Sequence, residues 1–405
     1  MLPVLIPMLV FTAVVLALAS AVLGARRRLA PAMDVPIVVN GQRTLTASTG
    51  DKLLWQLANH DIYLPAACGG RGACGQCKVQ VISGGGGILP TETSHLTQHE
   101  VARGLRLACA LTVREALEIR LPKDVLQARS WSAHVRTNRH LSTFLRELVL
   151  ELPEPMQFEA GDYVLLKAPA GDFAFADFDI DPAYQPEWQR LGLLELVAHV
   201  PEPTLRAYSL ANPPADATTV KLVVRIATPP SYAPRDTPPG MVSSYIFSLR
   251  PGDVVEVSGP FGEFHAQDSH REMVVIGGGA GIAPLHSMIL DQLESKRSGR
   301  PISFWYGARN LRELCYRAEF EALARSHPNF RYEVALSQPE PTDQWDGATG
   351  LIHTIAFDTY LHDHPQPEEV EYYLCGPPLM TAAIRATLED LGVEPQSIFL
   401  DDFGG

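Results

Sequence analysis

The arrangement of apolar positions divides this chain into segments of different kinds. Residues 2–24 form an uncharged, almost wholly apolar run that ends against Arg26, Arg27 and Arg28. At ~1.5 Å rise per helical residue the run is long enough for a ~30 Å hydrocarbon core. A cleaved signal peptide would place positive charge before the apolar stretch, and here the charge follows it. A single transmembrane helix is therefore expected over 1–28, and the positive-inside rule leaves everything after residue 28 on the cytoplasmic side.

Beyond the anchor the pattern turns short and alternating. Residues 35–39 and 43–46 flank Asn40-Gly41, a pair suited to the positive φ of a type I′ turn, so a hairpin opens a small β domain. Leu53, Leu54, Leu57 and Ala58 give a helical stripe, and the Gly/Cys-rich stretch 66–77 runs into a strand over 78–82. The glycines at 84–87 read as a flexible loop. From 131 to about 264 the pattern is mostly β, clearest at 221–226 and 253–257, with Pro- and Asp-rich stretches at 168–204 and 229–239 that read as surface insertions. From Arg271 onward strands at 272–276, 302–306, 332–336 and 372–375 alternate with amphipathic helices, one after Pro284 and one through Phe320. Such alternation predicts a parallel α/β sheet. No internal repeat is present.

Composition narrows the function. At 405 residues two or three domains are expected behind the anchor. A formal net charge of -13 argues against nucleic-acid binding, which leaves a basic stripe. Of six cysteines, Cys68, Cys74, Cys77 and Cys109 bunch in one segment, while Cys315 and Cys375 stand apart. That distribution suits metal ligation better than a disulfide framework.

The spacing Cys68-x5-Cys74-x2-Cys77, with Cys109 thirty-two residues later, supplies the four thiolates of a [2Fe-2S] cluster. Gly69, Gly70, Gly72 and Gly75 let the backbone wrap closely around the sulfurs. Zinc sites usually show paired CxxC knuckles, and a single pair exists here; a thioredoxin-like CxxC would want a βαβ context. Arg206-Ala207-Tyr208-Ser209 offers a cation for a pyrophosphate, an aromatic face for isoalloxazine and a small hydroxyl. Gly240-Met241-Val242-Ser243-Ser244 adds a glycine for close backbone approach and a helix start with hydroxyls for phosphate. Each alone is also what a strand end or a helix cap looks like; their order in one β-rich region points to flavin. Residues 274–276 run into Gly277-Gly278-Gly279-Ala280-Gly281-Ile282-Ala283-Pro284, a strand, glycine turn and helix of phosphate-cradle type, although Pro284 departs from GxGxxG. Cys375-Gly376-Pro377-Pro378 closes a later strand, where ligands of parallel sheets sit. Cys315 reads as core.

In this order the motifs, with the terminal Asp401-Asp402-Phe403-Gly404-Gly405, resemble the ferredoxin-NAD(P)+ reductase superfamily. The sequence of anchor, ferredoxin, FAD and NAD segments is most similar to the F subunit family of Na+-translocating NADH:quinone reductases. The resemblance implies a β-grasp [2Fe-2S] ferredoxin domain over 34–126, an antiparallel β-barrel FAD domain over 129–265 and an α/β NADH-binding domain over 270–405. It implies FAD held by Arg206, Tyr208, Ser209 and 240–244, and NADH by Gly278, Gly279, Gly281, Pro284, Tyr306, Cys375, Gly376 and Pro377. Tyr208, Ser209 and Cys375 would serve the hydride step, with Phe403 as a ring on the flavin face; a frayed terminus is the alternative. Arg309, just after the strand ending at Tyr306, is placed to face a 2′-phosphate, so NADPH stays open beside NADH. The expected activity is NADH oxidation through FAD and the cluster to partner subunits that reduce ubiquinone and export sodium, at a bacterial inner membrane. The apolar run itself carries no ionisable residue for an ion path. The rival readings are a reductase component of a multicomponent monooxygenase and a membrane-tethered iron-sulfur docking protein.

Overall fold

A computed structural model describes residues 33–66, 68–122, 125–230, 234 and 237–401, with five helical positions earlier in the chain, Thr12, Val14, Val15, Ala17 and Leu18. The remainder of the expected anchor and Phe403 lie outside the described residues. Among the described residues no helix is long and apolar enough to cross a membrane. Two compact units emerge, residues 1–64 with 70–127, and residues 65–69 with 128–405.

The first unit is built on strands β1 (Asp34–Val39), β2 (Arg43–Ser48), β3 (Lys78–Ser83), β4 (Leu105–Leu107) and β5 (Leu117–Arg120), in the order β2-β1-β5-β3-β4. β1 and β5 run parallel and the other pairs antiparallel. Asn40 and Gly41 adopt φ of +53° and +67°, but the register Val39↔Arg43 gives a three-residue loop instead of a two-residue one. The helix Leu53–Ala58 buries Leu53, Leu54 and Leu57, as its apolar spacing predicts, and Ile37, Val79 and Ile119 are buried in the strands of the same unit. The expected flexible glycine loop is instead held in place. Gly84, Gly85 and Gly86 take positive φ, and the carbonyls of Gly85 and Gly86 accept from Arg106 Nη1 at 2.9 and 3.1 Å. Arg106 itself is 7 % exposed and forks onto Glu92, which is fully buried, with contacts of 2.9 and 2.7 Å.

The second unit holds two sheets. Its first part contains β6 (Arg129–His140), β7 (Leu145–Glu151), β8 (Tyr163–Ala168), β9 (Gly171–Ala174), β10 (Val197–Val200), β11 (Thr204–Ser209), β12 (Thr219–Arg225) and β13 (Val254–Phe261). Six of these form an antiparallel sheet in the order β11-β8-β13-β6-β7-β12, around a core that includes Trp131, Leu148, Val164, Leu222 and Val257. The expected barrel is a half-barrel: its outer strands meet through one bridge, Leu210–Leu222, not through a continuous ladder.

Residues 168–204, read from their Pro and Asp content as a surface insertion, are tied into this core. β9 and β10 pair with each other, and Trp188, with no exposed surface, packs among Phe175, Phe178 and Phe247 while its Nε1 donates to the Thr143 carbonyl at 2.8 Å. Arg146, 1 % exposed, donates to the carbonyls of Phe247 and Asp179. Burial of these aromatic rings outweighs the local loop-like composition.

The last part is a six-stranded, all-parallel sheet of β14 (Met273–Gly278), β15 (Ile302–Ala308), β16 (Phe330–Leu336), β17 (Ala348–Thr349), β18 (Glu371–Cys375) and β19 (Ile398–Asp401), in the order β17-β16-β15-β14-β18-β19. β15 runs two residues past the expected end at Tyr306. The chain order reverses between β14 and β18, and a crevice at the carboxyl ends of such neighbours is where α/β sheets take ligands.

Candidate functional site

In the first unit Cys77 precedes β3 and Cys109 follows β4. The Ala108 N–H donates to the Cys77 carbonyl at 2.9 Å, so the antiparallel pair sets the two cysteines side by side. Both are buried, and Cys74 is half-buried. The Cys77 thiol is held far above its usual value, first by its hydrogen bond with Cys109, then by burial and by the neighbouring sulfurs Cys109 and Cys74. Crowded sulfurs that resist ionising together are relieved by a bound cation, and all-sulfur donors suit iron. Gly70, Gly72 and Gly75 take φ of +83°, +81° and +68°, conformations that keep the loop tight around the sulfurs. Cys68, also buried, lies in the 65–69 segment that groups with the second unit. Among the described residues no three His, Cys, Asp or Glu side chains converge as metal ligands.

On β11 of the second unit, Arg206 and Tyr208 share one face by the two-residue period of a strand, and Ala207 and Ser209 take the other. Arg206 Nη1 donates to the Leu205 carbonyl at 2.7 Å. Tyr208 is half-buried, and desolvation raises its hydroxyl above the usual tyrosine value. The helix Met241–Ser248 starts as expected at Gly240, where a side chain would stand 2.6 Å from Ala227 Cβ and 2.7 Å from Ser243 Oγ. Both serine hydroxyls have partners within their own helix turn. Ser243 and Ser244 donate back to the Gly240 carbonyl at 3.2 and 2.6 Å, the local competition that serine hydroxyls offer a helix backbone. Val242 is buried as well, so it is the main-chain amides of Met241, Val242 and Ser243, ahead of the first intrahelical bond, that suit an anion.

On the nucleotide side the glycine run leaves β14 as a single tight turn, Gly279–Gly281, and enters the helix Ile282–Leu290. A Cβ on Gly281 would lie 2.2 Å from the Cys375 carbonyl oxygen, and one on Gly376 would lie 3.0 Å from the Gly278 nitrogen. Backbone is therefore packed on backbone where β14 meets β18, in the register Gly277↔Cys375. Pro284 sits in the first helical turn, where its missing N–H is harmless, but it is buried and does not line an open face. Tyr306 is fully buried and donates to the Gly279 carbonyl at 3.3 Å, so it braces the glycine turn from below. Beside it, burial pushes the Cys315 thiol up to about 12, in keeping with a core cysteine.

Three residues far apart in the chain meet here. Ser209 Oγ donates to Asp401 Oδ2 at 3.0 Å, and Asp401 pairs with Cys375 in the β18–β19 ladder. Cys375 has no exposed surface. The helix behind the glycine turn is locked to the chain just past β11: His286 Nδ1 donates to the Ala211 carbonyl at 2.6 Å, and Ser287 Oγ to that of Asn212 at 2.7 Å. Nothing in the local pattern marks Asp401, His286 or Ser287, since an acidic tail and a polar pair on a buried helix fit many roles. Arg309, at the end of β15, lies 3.7 Å from Glu313 and over the Phe144 ring.

By the chemistry of their donor groups these stretches suit an iron-sulfur cluster, a flavin and a dinucleotide, although among the described residues the four thiols do not converge as ligands in this structure, and the family matches fall on the same stretches. Residues 37–114 match the 2Fe-2S iron-sulfur cluster binding domain, 192–266 the oxidoreductase FAD-binding domain and 275–386 the oxidoreductase NAD-binding domain. Over the full length of both chains the sequence is 48% identical to the F subunit of the Na(+)-translocating NADH-quinone reductase of Methylococcus capsulatus. It is 49% identical to the corresponding F subunit of Klebsiella pneumoniae over 99% of this chain and 100% of that one. Among solved structures, the cytochrome P450 reductase GcoB of Amycolatopsis superposes with a TM-score of 0.63 at 27% identity, over 91% of this chain and 98% of that one. The ferredoxin reductase in carbazole 1,9a-dioxygenase superposes at 0.61 with 22% identity, over 92% of this chain and 99% of that one, and shares the fold. The full-length identity, the three domain matches and the site they frame show that the chain belongs to the family of Na(+)-translocating NADH-quinone reductase F subunits.

Proposed function

We propose that this chain is the electron-input subunit of a membrane NADH:quinone reductase, oxidising NADH and delivering electrons to partner subunits that reduce ubiquinone and export sodium. The observation that carries the reading is the meeting of Ser209, Asp401 and Cys375 where the flavin strand faces the carboxyl ends of β14 and β18. When bound, FAD accepts hydride from NADH and the [2Fe-2S] cluster carries single electrons onward. The chain's own part is geometric. Arg206 and Tyr208 hold the flavin by charge and stacking. The amides at Met241 to Ser243 take its phosphates, and the backbone between Gly278 and Gly281 takes those of the dinucleotide. Cys68, Cys74, Cys77 and Cys109 ligate the cluster. Domain limits of 34–126, 129–265 and 270–405 accompany this assignment, with residues 1–28 as a single-pass inner-membrane anchor and Phe403 as the ring that nicotinamide displaces.

Relatives named as F subunits match along the whole chain, which favours this reading over an oxygenase reductase. Deletion of residues 1–28 gives the test. The shortened protein should bind FAD and be bleached by NADH, reduce artificial acceptors and fail to support sodium-dependent quinone reduction in membranes. Flavin that NADH leaves oxidised would refute the assignment.

A further inference from the structure

The carboxyl ends of β15 and β16 border a cavity of about 260 Å3, smaller than the ~300–1,000 Å3 of a complete small-molecule site and suited to one portion of a dinucleotide. Its floor comes from Arg309, Arg312, Glu313 and Glu340 of the nucleotide sheet, and its far wall from Glu187 and Arg190. These last two lie on the helix Gln185–Arg190 of the 168–204 segment, which Trp188 anchors in the other half of the unit. The end of the second strand of a dinucleotide-binding sheet is where the adenosine ribose is read: a carboxylate accepts from a 2′-hydroxyl, whereas an uncommitted arginine receives a 2′-phosphate. Here three arginines share the cavity lining with three glutamates, and each cation has a partner. Arg190 donates to Glu187 at 3.0 Å, Arg309 lies 3.7 Å from Glu313, and Arg312 donates to the Ala183 carbonyl while lying over the Tyr184 ring. Glu340 accepts from Asn310 at 2.9 Å.

We infer that this cavity holds the adenosine ribose and that Glu187 and Glu313, by neutralising Arg190 and Arg309, make it selective for a dinucleotide without a 2′-phosphate. The inserted segment is thereby a specificity wall, and Arg309 is withheld from the phosphate-binding role that its position alone suggests. A doubly charged phosphate entering here would meet carboxylates first and find the nearby guanidinium groups engaged. The inference rests on the reading of this half as a hydride-donor site.

Stopped-flow reduction of the FAD-loaded protein by NADH and by NADPH tests it, with wild type, Glu187→Gln, Glu313→Gln and the double variant. The expected result is a preference for NADH in wild type. In the double variant the affinity for NADPH relative to NADH should rise at least roughly tenfold, the scale of one charge-assisted hydrogen bond. The change should lie in apparent affinity and not in limiting rate. 2′,5′-ADP should compete with NADH in the double variant and not in wild type. Adding Arg309→Ala should abolish the gain, and the flavin absorbance envelope reports whether each variant is folded. Selectivity unchanged in the double variant, with NADH still reducing the flavin, would overturn the cavity assignment alone; flavin reduced by neither nucleotide in wild type would overturn the functional reading beneath it.

Discussion

The Ser209 hydroxyl hydrogen bonds the Asp401 carboxylate at 3.0 Å, joining the last residue of β11 to the last residue of β19 across 192 positions of sequence. Because Asp401 is also in register with Cys375, one ion-dipole contact fixes the flavin strand against the strand that carries the candidate nicotinamide cysteine. Asp401→Asn and Ser209→Ala should each lower the limiting rate of flavin reduction by about tenfold or more, the value of one charged hydrogen bond, with little change in cluster signals. Rapid-mixing absorbance at saturating NADH measures it, and wild-type rates in both variants would remove this contact from the reaction.

Gly281 faces a different constraint. Its missing Cβ would stand 2.2 Å from the Cys375 carbonyl oxygen and 2.7 Å from the Gly376 nitrogen, both of them backbone atoms that cannot swing aside. Gly281→Ala should destabilise the second unit by about 1–3 kcal/mol and weaken NADH binding. Gly279 has positive φ but open space around it, so Gly279→Ala should be milder, with a strain of about 1–2 kcal/mol. Thermal melts of the two FAD-loaded variants, with KM for NADH, separate the effects.

In the first unit, burial pushes the Glu92 carboxyl up, but the forked Arg106 guanidinium and the amides of Leu107 and Leu89 outweigh it, leaving the group below its usual value of 4.5. A depressed folded value contributes stability above pH about 4.5, and that stability is lost as pH falls through the folded value. Acid unfolding of this unit should therefore steepen below that pH, and Glu92→Gln should flatten the profile. Glu92→Ala, which leaves Arg106 buried without its partner, should cost about 3–5 kcal/mol. Denaturant melts followed by cluster absorbance across pH 3 to 7 (roughly the range over which carboxylates titrate) would show both.

Cys77→Ser should abolish the cluster's EPR signal and charge-transfer absorbance while NADH still bleaches the flavin, because the motifs for the two cofactors occupy different segments. Loss of flavin reduction in a variant that keeps its FAD would contradict that separation.

The sequence by itself was sufficient wherever the physics is local. Cysteine spacing announced the cluster stretch, the glycine run between β14 and its helix announced a backbone cradle, and the alternation after Arg271 announced a parallel sheet, because turn conformation and side-chain period act over a few residues. Tertiary structure decided what depends on neighbours distant in the chain. The loop-like composition of 168–204 gave no hint that Trp188 would be fully buried and carry Glu187 and Arg190 to the end of the nucleotide sheet. Glu313 lies 3.7 Å from Arg309, and the Ser243 and Ser244 hydroxyls donate to the Gly240 carbonyl, partners that neither motif names. Asp401 gained a role only through the register of β19 on β18 and the reach of Ser209. Each of these is a pairing of polar groups, and which partner satisfies a polar group is settled when packing removes water, a step that no local pattern encodes.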